Sequence, residues 1–318
     1  MRPQISVVAS LYQSAKFLNE FHHRISQTLL EITPNYEIIF VDDGSPDHSQ
    51  TVARQIVAQD PHTRLIVLSR NFGHFRATLT GIAEAQGEMV YMTNCDLEEP
   101  PETLSAYHHL MVTDAAHPDV VYGWQKRRTS RWLDRLTGYL FYRLLNAASG
   151  LKTPQNQVFS TLMKRGYVEA LLSYANEEHV LLAGIMQLAG FTQLGMGIDK
   201  AYKGSTAYNL RRKIAVVVDA VTSFSSKPLM AVSVMGLAMA LPAFGIVCYV
   251  IVRKMFFAEY MAGWTSLIAS IWFVGGMCIA SVGIVGIYVG KIFIQVKQRP
   301  NVIIKEILNR SPLQRAGT

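Results

Sequence analysis

Two long stretches without a charged residue, Leu229 to Val252 and Trp264 to Val289, constrain this chain more than any other feature. Each exceeds the roughly 20 residues a helix needs to cross the hydrocarbon core of a bilayer. Only residues 253–263 separate them, so together they predict a transmembrane hairpin. That joining loop carries Arg253, Lys254 and Glu259. Arg211, Arg212, Lys213 and Lys227 precede the pair, and Lys291, Lys297, Arg299 and Lys305 follow it. Basic residues stay on the cytoplasmic side, which predicts a multi-pass membrane protein with both termini cytoplasmic. Trp264 suits an interfacial position, and small residues such as Gly283 and Gly286 would allow close packing and self-association, a tetramer included.

The charge distribution agrees. Of the 30 Lys+Arg and 23 Asp+Glu, residues 1–200 hold 17 and 20, whereas residues 201–318 hold 13 and 3. A basic back half fits an anionic surface, either membrane or nucleic acid. The opening MRPQISVVAS runs straight into a strand-like segment with no signal-peptide pattern. The cysteines Cys95, Cys248 and Cys278 lack the paired spacing of a disulfide framework or zinc site.

The front half alternates apolar runs with helical spacing. Ile5–Ala9, Tyr36–Val41, Leu65–Leu68, Met89–Met92 and Val120–Tyr122 read as strands. Ala15 to Ile32 has helical periodicity through Phe17, Leu18, Phe21, Ile25, Leu29 and Ile32. Near-continuous apolar strands between helices predict an α/β domain with a mostly parallel sheet covered on both faces. Two of these strands stop at acid. One ends in Asp42-Asp43-Gly44-Ser45-Pro46-Asp47, where Asp47 or Ser45 suits a helix cap. The other ends in Asn94-Cys95-Asp96-Leu97-Glu98-Glu99. Ligands of open α/β sheets bind outside the carboxyl ends of the strands, and Mg²⁺ or Mn²⁺ favours carboxylates together with substrate phosphates. The plain alternative is a solvated turn. Neither a Gly-x-Gly-x-x-Gly after the first strand nor a Gly-x-x-x-x-Gly-Lys-Ser/Thr is present, so a glycine-rich phosphate cradle is excluded.

Lys126, Arg127, Arg128, Arg131 and Arg135 open an amphipathic segment, about 131–149, with Leu133, Leu136, Leu140 and Leu144 on one face. Such a helix fits the membrane interface; a domain-packing helix or a nucleic-acid surface would share the pattern. The hairpin favours membrane and argues against nucleic acid. A second basic amphipathic segment, 209–227, leads into the first span, which divides the chain into 1–208, 209–227, 228–290 and a tail of 291–318. Within that tail, Asn301-Val302-Ile303-Ile304 is strand-like and suited to rejoin the soluble domain. The histidines His22, His23, His108 and His109 read as solvated helix faces, Glu177-Glu178-His179 as a surface loop, and Cys95 as a small buried residue.

Several blocks together resemble family 2 glycosyltransferases of the polyprenyl-phosphate type, the dolichol-phosphate-mannose-synthase-like enzymes. They are YEIIFVDDGSPD, LSRNFGH, MTNCDLEEPPE, DVVYG, FYRLLN, KGSTAY and TSFSSKPL. The hairpin resembles that of bacterial members that charge undecaprenyl phosphate. The resemblance implies a GT-A-like, Rossmann-like domain and transfer of a sugar from a nucleotide-diphosphate sugar, UDP-linked by preference. The acceptor would be a polyprenyl phosphate, for envelope glycans such as O-antigen or lipopolysaccharide. It implies that Ser10, Tyr12, Asp42, Asp43, Arg70 and Lys203 hold the nucleotide. Asp96, with Asn94 and Glu98, would hold Mg²⁺ or Mn²⁺. Arg128 and Arg135 would act beside Asp96 in catalysis, and Arg131, Arg135 and Arg211 would face the lipid phosphate. Asn94 stands where relatives have the first acid of Asp-x-Asp, and Val158–Leu162 replaces their Gly-Asp-Phe-Arg-Leu. A non-catalytic scaffold that binds nucleotide or lipid, or transfer to another lipid acceptor, are the competing expectations.

Overall fold

The computed structural model describes residues 2–125, 157–174, 186, 189–199, 227–256, 264–297 and 300–309. Strands β1 (Ile5–Leu11), β2 (Tyr36–Asp42), β3 (Thr63–Leu68), β4 (Met89–Asn94) and β5 (Val120–Gln125) grow from the five apolar runs. Helices α1 (Ala15–Ile32), α2 (Ser49–Gln59), α3 (His74–Glu84) and α4 (Thr103–Thr113) alternate with them. β6 (Gln157–Lys164), α5 (Arg165–Ser173) and β7 (Gln193–Ile198) follow, then α6 (Lys227–Phe256), α7 (Trp264–Val296) and β8 (Ile304–Leu308).

The strands form one sheet in the order β7-β5-β6-β4-β1-β2-β3-β8. β1 pairs in parallel with β2 and β4, β2 with β3, and β5 with β7. β6 runs antiparallel between β4 and β5, and β8 runs antiparallel along β3. The sheet is therefore mixed, a GT-A-like arrangement in which the parallel strands dominate. Neither β6 nor β7 stands out in the sequence. β6 contains Ser160 and Thr161 within its apolar run, and β7 carries two glycines.

Every residue of β1, β2 and β3 is buried. Alternate side chains serve opposite faces. Ile5, Val7, Ala9 and Leu11 join Phe21, Ile25, Ile56 and Tyr107 from α1, α2 and α4. Val8, Ile39, Val41 and Ile66 join Ala77, Ile82, Tyr167 and Leu171 from α3 and α5. One cluster of buried charge sits near the amino ends of the strands. Glu37 accepts from Ser6 Oγ at 2.6 Å, from Gln86 N–H at 2.7 Å and from Arg64 at 3.0 Å. Of the two candidate caps of α2, Asp47 acts: its Oδ1 accepts from Ser49 N–H at 3.1 Å and Ser49 Oγ at 2.6 Å. Its Oδ2 accepts from Ala15 N–H at 3.3 Å, so one carboxylate ties the starts of α1 and α2. His22 is not a solvated face residue, because Asp60 at 2.9 Å and Thr63 at 3.1 Å hold its ring.

The chain divides into two compact units. One holds the sheet and recovers the residues after α7, as the strand-like tail anticipates. The other holds the long helices. α7 continues past the expected end at Val289, because Ile292, Phe293, Ile294 and Val296 extend its apolar surface beyond the single charge of Lys291. Within it, Phe273–Val296 is long and apolar enough to cross a membrane, and none of its side chains is buried. α6 turns Val234, Tyr249, Val252 and Phe256 outward, each more than half exposed.

Gly81 of α3 tests the packing. A Cβ there would meet Val8 Cγ1 at 2.4 Å and Val41 Cγ2 at 2.8 Å. Alanine improves helix propensity by about 1 kcal/mol, but overpacking costs about 1–3 kcal/mol. The expected outcome for Gly81→Ala is net destabilisation, and for Gly81→Val a larger loss, measured by urea unfolding of the full chain.

Candidate active site at the carboxyl edge of the sheet

The register gathers the acidic strand ends. Ser10 pairs with Asn94 on one side, and Leu11 pairs with Asp42 on the other, so three strands run out of apolar sequence at one level. Beyond that level the parallel strands have no further ladder. Polar side chains can appear there without interrupting the core.

Asp42 and Asp43 are nearly wholly buried, at 2 % and 1 % exposure. Asp42 Oδ1 accepts from Ser45 N–H at 3.3 Å. Asp43 spends both oxygens on the loop after β3, accepting from Phe72 N–H at 2.7 Å and Gly73 N–H at 2.9 Å. Burial pushes both carboxyl groups above their ordinary range, against the downward pull of these donors. Gly44, at φ 64°, sits so close to the same loop that a Cβ would lie 2.7 Å from Arg70 C and Asn71 N. Arg70 is exposed, and its guanidinium lies over the Phe72 ring, 4.4 Å from its centroid.

At the end of β4 the acids divide by environment. Asn94, Asp96 and Glu98 are half-buried, and Asp96 Oδ1 accepts from Glu98 N–H at 3.1 Å. Leu97 between them takes a positive φ of 59°, which lets the chain turn sharply enough for that bond. Glu99 is buried and points the other way, accepting from Phe159 N–H at 3.2 Å and Ser160 N–H at 2.8 Å. It fastens the acidic loop to β6. Cys95 is buried as expected, its thiol directed at Ser10 O at 3.6 Å.

His74, at the start of α3, enters this edge although its sequence context gives it no role. Its Nδ1 lies 2.5 Å from Ser10 Oγ, and its ring packs on Phe159 at 4.4 Å between centroids. The only sequence signal is its place at the end of the LSRNFGH block. Glu99 and Phe159 are likewise absent from the predicted set, because burial and cross-strand contact cannot be read locally.

Ser10, Tyr12, Asp42, Asp43, Arg70, Asn94, Asp96 and Glu98 thus belong to the ends of β1–β4 and the loops that follow. Tyr12 is half exposed there. Arg128, Arg131, Arg135, Lys203 and Arg211 lie outside the described residues, as do the segments 131–149 and 209–226, the 203–208 loop and Glu177–His179. Among the described residues no group of three or more His, Cys, Asp or Glu is gathered to hold a metal ion. The half-buried Asp96 carboxylate with the Asn94 carboxamide suits a hard cation completed by phosphate oxygens.

Residues 6–172 match the family model Glycosyl transferase family 2. A Mycobacterium tuberculosis protein, named only as a glycosyltransferase, is 41 % identical over 96 % of this chain and 88 % of its own length. A prophage-derived bactoprenol glucosyl transferase of Shigella flexneri is 29 % identical over 97 % of this chain and 100 % of its own. Among solved structures, a mannosyltransferase from Pyrobaculum calidifontis with GDP-Man and Mn²⁺ is similar at 15 % identity and a TM-score of 0.43, covering 89 % of this chain and 88 % of that one.

Glu99 and Asp96 make opposite predictions from one loop. Glu99→Ala strands two backbone N–H groups and should cost about 1–3 kcal/mol for each. Asp96→Ala should cost under about 1 kcal/mol, as an exposed-side substitution does. Chemical denaturation of the two variants distinguishes the anchoring acid from the half-buried one.

Proposed function

The chain belongs to glycosyl transferase family 2, and on that premise we propose that it moves a sugar from a nucleoside-diphosphate sugar to a polyprenyl phosphate. The observation that carries this reading is the end-to-end match to a bactoprenol glucosyl transferase, which includes the two long helices as well as the sheet. In this reading α6 and α7 form a membrane hairpin with both flanks cytoplasmic, and the sheet unit works at the cytoplasmic face for envelope glycan assembly. The basic segments 131–149 and 209–227 lie along the headgroups, and the small residues of α7 permit a homo-oligomer.

The donor nucleoside, UDP-linked by preference, binds at Ser10, Tyr12, Asp42, Asp43, Arg70 and Lys203. Asp42 suits a ribose hydroxyl or base N–H, since such a donor relieves a carboxylate that burial has raised. Asp43 acts through the loop it grips, because both its oxygens already accept backbone N–H groups. Asp96, with Asn94 and Glu98, holds Mg²⁺ or Mn²⁺ together with the diphosphate. A bound cation supplies charge neutralisation on the leaving diphosphate. Arg128 and Arg135 assist at the same centre, and Arg131, Arg135 and Arg211 gather the lipid phosphate, two anionic substrates that otherwise repel. The acceptor oxygen belongs to a phosphate monoester whose second pKa is about 6, so it is largely ionised at neutral pH. No strong general base is required, and the chain's task is positioning. Anchoring the domain at the bilayer raises the effective concentration of a headgroup that cannot leave it.

The test is direct. Purified full-length protein receives undecaprenyl phosphate, Mg²⁺ or Mn²⁺ and a panel of nucleotide sugars, and both nucleoside-diphosphate release and glycolipid are followed. Glycolipid with one donor is expected; no turnover with any donor would leave the non-catalytic scaffold as the better reading. Asp96→Ala should lower kcat/KM by about a hundredfold or more, and Asn94→Ala by less. Asn94→Asp should gain little if Glu98 already supplies the charge. Undiminished product from Asp96→Ala would sink the metal assignment.

A further inference from the structure

The residues that follow the second long helix return to the sheet, enter it beside the loop that carries Arg70 and then run back along β3. β8 pairs with β3 through Leu65↔Leu308, Ile66↔Ile307, Val67↔Glu306 and Leu68↔Ile304, with a register shift between Val67 and Leu68. Such irregularities re-aim the chain beyond them and are enriched beside active sites. One residue further, past the end of β3, Ser69 donates its N–H to Ile303 O at 2.9 Å. The loop 69–73 is therefore held at its start by the tail and at its end by the Asp43 carboxylate.

The tail is itself fastened. Arg54 of α2 forms a two-pronged ion pair with Glu306. Asn309 Nδ2 donates to Pro61 O and Thr63 O, each at 2.9 Å. Val302 and Ile307 pack on the same apolar cluster as Phe72 and Phe75. A strand that only covered the edge of β3 would need the ladder alone. The bond to Ser69 carries that ladder one residue past β3, onto the loop.

We propose that residues 303–309 are a positioning element for the donor-binding loop 69–73, fixing where Arg70 meets the nucleotide. This rests on the donor-site reading above. A loop ordered in advance spares the donor the cost of ordering it, so the effect falls on donor affinity and not on the acceptor. Only residues 297–302 separate this element from α7, so the apolar helix and the donor loop share one short stretch of chain.

The test uses the full chain in lipid nanodiscs and three readouts: amide hydrogen exchange of peptides spanning 69–75, calorimetric binding of UDP and GDP, and KM for donor and for undecaprenyl phosphate. Ser69→Pro, which removes the N–H that Ile303 O accepts, should quicken loop exchange and weaken nucleotide binding by about tenfold, with the acceptor KM within about twofold. Glu306→Ala removes a part-exposed ion pair and should weaken binding by about two- to threefold, and Arg54→Glu with Glu306→Arg should restore it. If Ser69→Pro fails to fold, the Arg54–Glu306 series decides. Unchanged loop exchange and unchanged nucleotide affinity in the variants would overturn the inference, as would donor and acceptor KM rising together. A wild type that binds no nucleoside diphosphate overturns it too. A wild type that binds nucleotide with this sensitivity yet makes no glycolipid would defeat the proposed reaction and leave the positioning role standing.

Discussion

The sheet of this protein is buried on both faces, and the rest of the structure follows from that. Along β1, β2 and β3 no side chain reaches solvent, so an unpaired polar group inside these strands would pay a desolvation cost with nothing to offset it. Ser6, Glu37 and Arg64 pair with one another near the amino ends. Other acids gather at the opposite edge, where the ladder ends. Asp42 and Asn94 fall there because the registers of β1 with its two neighbours bring both to the level of Ser10 and Leu11.

At that edge, environment and not residue type sorts the acids. Asp43, Asp47 and Glu99 are joints: each accepts two or more N–H or O–H donors, at least one of them from a segment distant in sequence, and so sets the spacing of loops. Asp96 is only half-buried at the end of β4 and makes a local turn with Glu98. A carboxylate enclosed by backbone donors suits a joint. The same reasoning places His74 and Phe159 in the site's wall, since their contacts with Ser10 and with each other bridge β1, α3 and β6.

The long helices and the sheet differ in where they carry apolar surface. α7 exposes a long apolar surface that suggests membrane association, while the sheet unit has an ordinary enclosed core. The chain returns from one to the other through β8, which closes the edge of β3 and reaches the loop bearing Arg70. Topology thus makes the end of the sequence a neighbour of residues near position 70.

Much was legible in the sequence because period and composition are local properties. Apolar runs of the right length foretold β1 to β5, and the absence of charge over Trp264–Val289 foretold a helix fit for a membrane. The acidic stops after β2 and β4 marked the carboxyl edge of the sheet, where the ladders end. The antiparallel insertion of β6, the docking of β7 and the use of Asp43 and Glu99 as joints were not legible. Each depends on a partner far away in sequence: Phe72 and Gly73 for Asp43, Phe159 and Ser160 for Glu99, β4 and β5 for β6. Local sequence determined which segments would be buried and which residues could carry charge at their ends. The tertiary structure decided which of those charges are spent on the fold, because hydrogen-bond partners are assigned by proximity in space and not along the chain.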